Sequence, residues 1–291
     1  TSMERIYNSK NEFLNWKIDG RGNEFPIECK AVIDASGVAG AATKLLDMGT
    51  KVEVISGFQY EMGEVENDGY LDFYLWPEYS PHGYVWMIPK KDGRANVGLV
   101  TTDRRGAIKY LDKFVEDTEF RGKIIQNPQW RKPGTKPKPF GGTIPISGPR
   151  EITTGDGLIL VGDAAGFTSP LFEGGSHLAL KSAVFAAETA KIAIDKNDMS
   201  KEIMARYTSL WKAEFPPYEK ILKGKNALFE LSDSEMSLMG SCFPDEMSDM
   251  GIIGKAMVGV RLLFKKPGLY FKKVVPAMLA FGYSRAKFYG W

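Results

Sequence analysis

A buried apolar strand that runs straight into a glycine turn is the feature that most constrains this sequence. The run Gly157-Leu158-Ile159-Leu160-Val161 leads at once into Gly162-Asp163-Ala164-Ala165-Gly166, and a helix is predicted from Gly174-Gly175 to about residue 195. A strand, a glycine turn and a helix in this order are typical of layered α/β folds, in which the turn lies at the carboxyl end of the strand. The sequence therefore predicts an α/β unit here.

An earlier segment carries a weaker form of the same pattern. Ala31-Val32-Ile33-Asp34-Ala35 is a short β-branched run that breaks at Ser36-Gly37, and a small-residue helix follows to about Gly49. Residues 11–30 are predicted to form a polar hairpin. No signal peptide opens the chain, so we expect it to begin inside a domain.

The segment between these two α/β units alternates between apolar and polar residues in the manner of strands. Residues 51–100 predict a four-stranded antiparallel sheet, with turns at 67–69, 80–83 and 91–93. A helix over 105–118 and a connection rich in proline and glycine over 127–142 follow, and the connection predicts a crossover between domains.

The predicted fold class is therefore α/β (α+β), with an antiparallel sheet inserted into a Rossmann-like cofactor domain. Residues after 200 have a helical pattern, broken at Pro216-Pro217, Phe243-Pro244 and Pro267-Gly268. We expect partial cofactor-domain segments at 1–50 and 141–199, a substrate domain at 51–140, and a helical region at 200–291.

The turn at Gly162 has the chemistry of a flavin site. An Asp at the carboxyl end of a strand accepts hydrogen bonds from ribityl or ribose hydroxyls, and the following helix start favours a partial negative charge on a flavin. These properties suit FAD, whereas the alternative for Asp163 is an ordinary helix-capping residue. The turn at Gly37-Val38-Ala39-Gly40 lacks the full G-x-G-x-x-G pattern and is not a dinucleotide site by itself.

Composition argues against several classes of protein. The two cysteines, Cys29 and Cys242, are far apart, which argues against a disulfide scaffold or a cysteine zinc site and favours a reducing, cytoplasmic compartment. With only two histidines, His82 and His177, the sequence has no histidine cluster for a metal, and a Ser-His-Asp hydrolase would have to use one of these two. We therefore expect no metal site.

The chain ends in a basic, apolar segment. Residues 251–291 carry eight Lys and Arg residues and no Asp or Glu, interleaved with apolar and aromatic residues. This mixture suits an anionic membrane surface better than nucleic acid, and no apolar run is long enough to span a bilayer. The alternative is a pair of core-packing helices with a solvated basic face.

Aromatic residues crowd into one part of the predicted sheet. Seven of the 17 residues between Tyr70 and Trp86 are aromatic, and Tyr84, Trp86 and Ile88 share one strand face by the period of two. The result is either an apolar wall for a ligand or an aromatic ladder that packs in the core.

Taken in order, these motifs resemble a known family. V-I-D-A-S-G at 32–37, Y-V-W-M-I-P-K at 84–90, D-G-R-A-N-V-G at 92–98 and G-D-A-A-G-F-T-S-P-L-F-E-G-G at 162–175 are similar to the geranylgeranyl reductase family of FAD enzymes. The resemblance covers about residues 10–195 and implies the fold of the aromatic-hydroxylase-like flavoproteins. The sequence departs from the family pattern in three ways. It lacks the N-terminal G-x-G-x-x-G motif, it has Ile88 where the family has Phe, and it has Val100 where the family has the second glycine of a G-x-G motif.

The resemblance also implies site residues. Those expected to bind FAD are Asp34, Gly37, Gly162, Asp163, Ala164, Gly166, Pro170, Gly174 and Gly175. Those expected to contact a long isoprenoid are Tyr84, Trp86, Ile88, Pro89 and Gly98. The catalytic proton donor is not identified.

The implied activity is saturation of isoprenoid double bonds in lipid-like substrates at a membrane surface, in the manner of archaeal enzymes that act on digeranylgeranylglycerol lipids. Electrons would come from an external donor, either ferredoxin, reduced nicotinamide or a deazaflavin. Two alternatives stay open: a flavin monooxygenase or halogenase of the same fold, and a peripheral membrane protein that no longer binds FAD.

Overall fold

The computed structural model describes residues 2–20, 26–48, 52–63, 65, 69–116, 138–244 and 252–283. Most of the predicted proline-rich connection at 127–142 lies outside the described residues, as do the predicted turn at 67–68 and the end of the first small helix at Gly49. Within the described part, the chain forms two compact units. Unit 1 lies within Thr1–Val54, Ile144–Leu222 and Leu279–Trp291, and unit 2 lies within Ile55–Thr143 and Lys223–Met278.

The strands follow the predicted alternation. In chain order they are β1 (Ser2–Tyr7), β2 (Phe13–Asp19), β3 (Ile27–Cys29), β4 (Val32–Asp34), β5 (Val54–Met62), β6 (Asp72–Tyr74), β7 (Tyr84–Pro89), β8 (Ala95–Thr101), β9 (Phe140–Pro145), β10 (Thr154–Gly155) and β11 (Leu158–Leu160).

The helices occupy most of the second half of the chain. They are α1 (Ala41–Leu45), α2 (Ala107–Glu116), α3 (Ser176–Lys196), α4 (Lys201–Glu214), α5 (Tyr218–Phe229), α6 (Asp233–Gly240), α7 (Ile252–Lys265), α8 (Pro267–Leu269) and α9 (Val275–Tyr283). Short 3₁₀ helices occupy Gly37–Ala39 and Gly162–Ala165, and a π-helical turn spans Tyr270–Val274. The breaks predicted at Pro216-Pro217 and Pro267-Gly268 are confirmed, since α4 ends before the first and α7 before the second.

A small buried sheet forms the centre of unit 1. Its order is β10-β11-β4, and β11 runs parallel to β4 with Leu160 opposite Asp34. Leu158, Ile159 and Leu160 are almost fully buried, as the apolar run predicted. The separate antiparallel sheet β1-β2-β3 is tied to this region because Trp16 Nε1 donates to the Gly157 carbonyl at 2.9 Å. The predicted α/β fold class is confirmed.

The four antiparallel strands predicted over residues 51–100 are confirmed as β5 to β8, and β9 joins them as a fifth strand in the order β6-β7-β8-β5-β9. The additional strand β9 begins in the glycine-containing segment that was expected to be a connection. Glycine is needed here for close pairing, because a Cβ on Gly141 would lie 1.9 Å from the Gly57 carbonyl oxygen on β5. In the core of unit 2, the amphipathic helix α2 packs Leu111 and Phe114 against buried residues of this sheet.

An ion-pair cluster joins the C-terminal helices of unit 2. Ser232 and Glu235 form a capping box at the start of α6. Glu235 also accepts from Lys266 Nζ at 3.1 Å and from Lys273 Nζ at 3.2 Å, and Lys273 Nζ donates to the Glu230 carbonyl at 2.7 Å. The hydrogen bonds from Lys266 and from the Ser232 backbone, with a smaller contribution from Lys273, lower the pKa of Glu235 from 4.5 to about 2.

We expect Glu235→Gln to destabilise the protein at pH 7, because it removes a charge that two lysines share. A loss of about 1 kcal/mol corresponds to a fall in Tm of about 2–4 °C for a chain of this size. Between pH 2 and 4.5 the Glu235 carboxylate is ionised in the folded protein but protonated in the unfolded chain. Its contribution to the free energy of unfolding is therefore lost as the pH falls from 4.5 toward 2. The difference in Tm between variant and parent should therefore shrink over that range.

Asp195→Asn is a matched control for this measurement. Asp195 pairs with Lys191 on α3, and their side chains are 61% and 75% exposed. Its removal should leave Tm nearly unchanged. A Glu235→Gln protein as stable as the parent at pH 7 would contradict the prediction.

Candidate functional site

The parallel pairing of β4 and β11 brings the two predicted cofactor motifs together in unit 1. Each strand ends in a glycine turn that forms a short 3₁₀ helix, and the two turns contact each other. The Val161 N–H donates to the Asp34 carbonyl at 3.0 Å, which continues the strand pairing up to the turns. Because the carboxyl ends of parallel strands lie at the same edge of a sheet, this edge is where an open α/β sheet binds a ligand.

The turn after β11 needs its glycines for conformation. Gly162 has φ +55° and Gly166 has φ +80°, values that favour glycine. A Cβ on Gly166 would also lie 2.4 Å from the Gly148 carbonyl oxygen. The Gly162 N–H donates to the buried Ser182 hydroxyl on α3 at 3.0 Å, which fixes the turn to the helix.

Asp163 lies beside the start of α3 with its carboxylate partly free. Its Oδ1 accepts a hydrogen bond from Thr168 Oγ1 at 3.0 Å, and a Cβ on Gly175 would lie 3.3 Å from the same oxygen. Within the described part of the chain, Oδ2 accepts no hydrogen bond. The residue is half-buried, so this oxygen is available to a ligand hydroxyl.

The start of α3 is open as well. Gly175 occupies the capping position and offers no side chain to the first-turn N–H groups, and no acidic residue lies in the first turn. The loop leading to it is held by its backbone, since the Ser169 N–H donates to the Gly174 carbonyl at 2.8 Å. An uncapped helix start carries partial positive charge and favours an electron-rich ligand atom.

The turn after β4 has a different character. Asp34 is buried, and its Oδ1 and Oδ2 accept from the backbone N–H groups of Ser36 and Ala42, each at 2.8 Å. Both carboxylate oxygens of Asp34 are therefore hydrogen-bonded to the loop that follows β4. Contact of Asp34 and Gly37 with FAD stays a prediction.

The buried guanidinium of Arg150 supports the turn after β11 and was missed from the sequence. Arg150 Nε donates to the Ala164 carbonyl at 2.8 Å, and its backbone N–H donates to the Ala165 carbonyl at 2.8 Å. Burial lowers the pKa of Arg150, and the nearby charge of Asp34 partly offsets this. Its only sequence signal was a basic residue directly after Gly148-Pro149 in the segment before β10.

The residues predicted to form either an aromatic wall or a core-packing ladder lie on β7 in unit 2. The rings of Tyr84 and Trp86 lie 6.0 Å apart between centroids, and Trp86 Nε1 donates to Gln59 Oε1 at 3.2 Å. Trp86 is paired with Gly98 on β8, where a Cβ would lie 2.4 Å from the indole Cζ2. Gly98 thus provides the space in which the indole lies.

Exposure rises along this strand. Tyr84 is buried, Trp86 is half-buried and Ile88 is 37% exposed. Phe229 on α5 extends the wall, because its ring stacks on Tyr84 at 6.5 Å with an interplanar angle of 17°. Sequence reasoning missed Phe229, since it lies far from the sheet along the chain and only the fold brings it there.

Comparisons with known proteins find the same family that the sequence motifs resemble. A family model described as the geranylgeranyl reductase catalytic domain matches residues 53–128. The digeranylgeranylglycerophospholipid reductase of Methanocaldococcus jannaschii is 35% identical over 273 residues, which cover 91% of this chain and 67% of the relative. The enzyme of the same name from Methanococcus vannielii is 31% identical over 285 residues, covering 94% and 69%.

Solved structures show the same architecture. A geranylgeranyl bacteriochlorophyll reductase-like protein from Thermoplasma acidophilum matches with a TM-score of 0.72 and 26% identity, covering 92% of this chain and 67% of that one. The flavin-dependent halogenase CmlS matches with a TM-score of 0.56 and 23% identity, covering 94% and 48%. The second likeness concerns the fold alone.

Proposed function

Because the chain belongs to the geranylgeranyl reductase family, we propose that it hydrogenates the isoprenoid double bonds of a membrane-lipid precursor with FAD as its cofactor. The observation that carries this proposal is the open turn after β11, where a half-buried Asp163 lies beside an uncapped helix start. The monooxygenase and halogenase alternatives have less support, since only the shared fold favours them.

The residues of this turn fit a flavin. Gly162 and Gly166 give the turn its backbone conformation, and Gly175 leaves open the space that a Cβ would fill 3.3 Å from Asp163 Oδ1. Asp163 would hold a ribityl or ribose hydroxyl through Oδ2. The first-turn N–H groups of α3, after Gly174 and Gly175, would stabilise negative charge on the ring. Bound and reduced, FAD supplies the hydride for the alkene.

The aromatic wall of unit 2 suits the hydrocarbon part of the substrate. Trp86 is half-buried, and its indole N–H already donates to Gln59, so the ring would contact a hydrocarbon without losing a hydrogen bond. Tyr84 and Phe229 are buried and stack on each other. Ile88, on the same strand face as Trp86, continues the apolar surface toward the exposed end of β7, and Pro89 ends the strand. Such a surface excludes water from the site, which would protect a reduced flavin ring beside the alkene.

We further propose that the exposed face of α7 contacts an anionic membrane. Met257, Val260 and Phe264 recur at helical spacing and are 53%, 50% and 83% exposed, and Arg261 and Lys265 lie exposed beside them. Lys272 and Phe271 are exposed in the π-helical turn that follows α8. None of the described helices has the length and apolar character needed to cross a bilayer. The apolar residues would enter the headgroup layer and the cations would meet lipid phosphates.

The proposed activity is tested by anaerobic reduction of the FAD-loaded protein followed by addition of a polyprenyl lipid or an aromatic substrate. A reductase reoxidises its flavin with the polyprenyl lipid, whose product gains two hydrogens for each double bond, without oxygen. Turnover of only the aromatic substrate, with a requirement for oxygen, would contradict the reductase and favour the monooxygenase alternative.

Asp163→Ala should weaken FAD binding, because it removes a hydrogen bond to a charged group that is worth about 1.5–3 kcal/mol, or roughly 10- to 100-fold in Kd. The measurement is a fluorescence titration with FAD. Asp195→Ala, at the far end of α3, is the control and should bind FAD like the parent. Unchanged FAD affinity in Asp163→Ala would remove Asp163 from the site.

Trp86→Ala should impair turnover of a long polyprenyl substrate and leave the flavin absorbance spectrum nearly intact. Gly98→Ala should have the same effect, because its Cβ would lie 2.4 Å from the Trp86 ring and displace it. Phe140→Ala is the control, since Phe140 is an exposed aromatic residue on β9 of the same sheet. Loss of FAD from the Trp86 variant would instead assign Trp86 to the flavin site.

Binding to vesicles should be strong with anionic lipid, weak with neutral lipid, and sensitive to salt, because the Debye length falls from about 10 Å at 0.1 M to about 3 Å at 1 M. Arg261→Ala should weaken co-sedimentation by roughly fivefold, corresponding to about 1 kcal/mol per cation. Phe264→Ser should also weaken it, whereas Leu180→Ser, at an exposed leucine on α3, should not. Equal binding of the parent to neutral and anionic vesicles would refute the proposal.

A further inference from the structure

Ser169 places a buried hydroxyl without a partner in the loop between the Asp163 turn and α3. The residue is 1% exposed, and its Oγ makes no hydrogen bond to any described residue. Its backbone is fully used, since the N–H donates to the Gly174 carbonyl at 2.8 Å and the carbonyl accepts from the Glu173 N–H at 2.9 Å. The backbone therefore holds the loop without help from the side chain.

Other buried hydroxyls around the same turn are satisfied. Thr168 Oγ1 donates to Asp163 Oδ1 at 3.0 Å. Ser182 is fully buried beneath the turn, where its Oγ accepts from the Gly162 N–H at 3.0 Å and donates to the Ala179 carbonyl at 2.8 Å. A buried hydroxyl that lacks such partners is destabilising, and beside the Asp163 turn a bound ligand would supply the missing partner.

We propose that Ser169 Oγ binds a polar atom of the flavin and is a positioning residue of the cofactor site. This inference rests on the proposed function. The loop that carries Ser169 joins Asp163 to the open start of α3, the two features assigned to the cofactor. An isoprenoid chain has no hydrogen-bonding atom at its double bonds, so the hydroxyl matches the flavin and not the hydrocarbon. A serine hydroxyl can donate to a ring carbonyl or nitrogen and can also accept.

A second hydroxyl without a partner provides a matched comparison. Thr189 is fully buried on α3, and its Oγ1 also lacks a hydrogen bond to the described residues. It lies 13 residues after the first residue of α3, which is roughly 20 Å along the helix. Thr189→Val therefore removes the same kind of group away from the proposed ligand.

The test is Ser169→Ala, measured by the Tm of the FAD-free protein and by FAD titration. Removing a hydroxyl without a partner should leave the FAD-free Tm unchanged or raise it, whereas the Kd for FAD should rise about 2- to 12-fold. Thr189→Val should share the first result and keep the Kd of the parent. Ser182→Ala should lower the FAD-free Tm, because it leaves the Gly162 N–H unsatisfied.

Opposite signs for stability and affinity distinguish a ligand contact from a structural role. A fall in Tm for Ser169→Ala as large as that for Ser182→Ala would overturn the inference, and so would an unchanged Kd, which is expected if the hydroxyl is satisfied by water alone. A parent protein that fails to bind FAD would overturn the proposed cofactor together with this inference. Binding by the parent with an equal Kd in the variant overturns the inference alone.

Discussion

The parallel pairing of β4 with β11 is the constraint on which the rest of the site depends. Leu160 lies opposite Asp34, and the Val32 N–H donates to the Gly157 carbonyl at 2.8 Å, so the pairing has a fixed register from one end to the other. Parallel strands need a long crossover, and here the connecting chain carries the whole five-stranded sheet. The register also decides which turn residues meet at the carboxyl edge. A shift of one residue would break the hydrogen bond between the Val161 N–H and the Asp34 carbonyl and would change which residues of the two turns meet.

The two glycine turns at this edge resemble each other in sequence but differ in how their polar groups are satisfied. The carboxylate of Asp34 is fully used by its own loop, with one backbone N–H on each oxygen. Asp163 has one oxygen bonded to Thr168 and lies beside an uncapped helix, near the unpartnered hydroxyl of Ser169. Unused hydrogen-bonding capacity is costly when it is buried, so proteins retain it mainly where a ligand completes it. By this criterion the second turn, and not the first, is the one for which we propose cofactor contacts.

The local features of this chain could be predicted and its long-range pairings could not. The apolar run before Gly162, the helix α3 and the proline breaks follow from periodicity and from the chemistry of glycine and proline, which act over a few residues. The strand β9 was missed because a glycine such as Gly141 usually indicates a loop. Here the lack of a Cβ on Gly141 is what permits β9 to pair closely with β5. Arg150 and Phe229 were missed because their partners lie far away in the sequence. The sequence contains no period that reports such contacts.

Folding pairs some of the cations in the C-terminal segment with acidic residues from elsewhere in the chain. Its sequence has eight cations and no acid, which favours a purely electrostatic attraction to anionic lipid. In the structure, Lys266 and Lys273 are paired with Glu235 from α6, so part of that charge is neutralised inside unit 2. The exposed cations Arg261, Lys265 and Lys272 accompany a stripe of exposed apolar residues that includes Phe264. Since fewer cations are free than the sequence indicates, insertion of this stripe must add to the attraction for anionic lipid, while the exposed cations still provide the part of the affinity that salt screens.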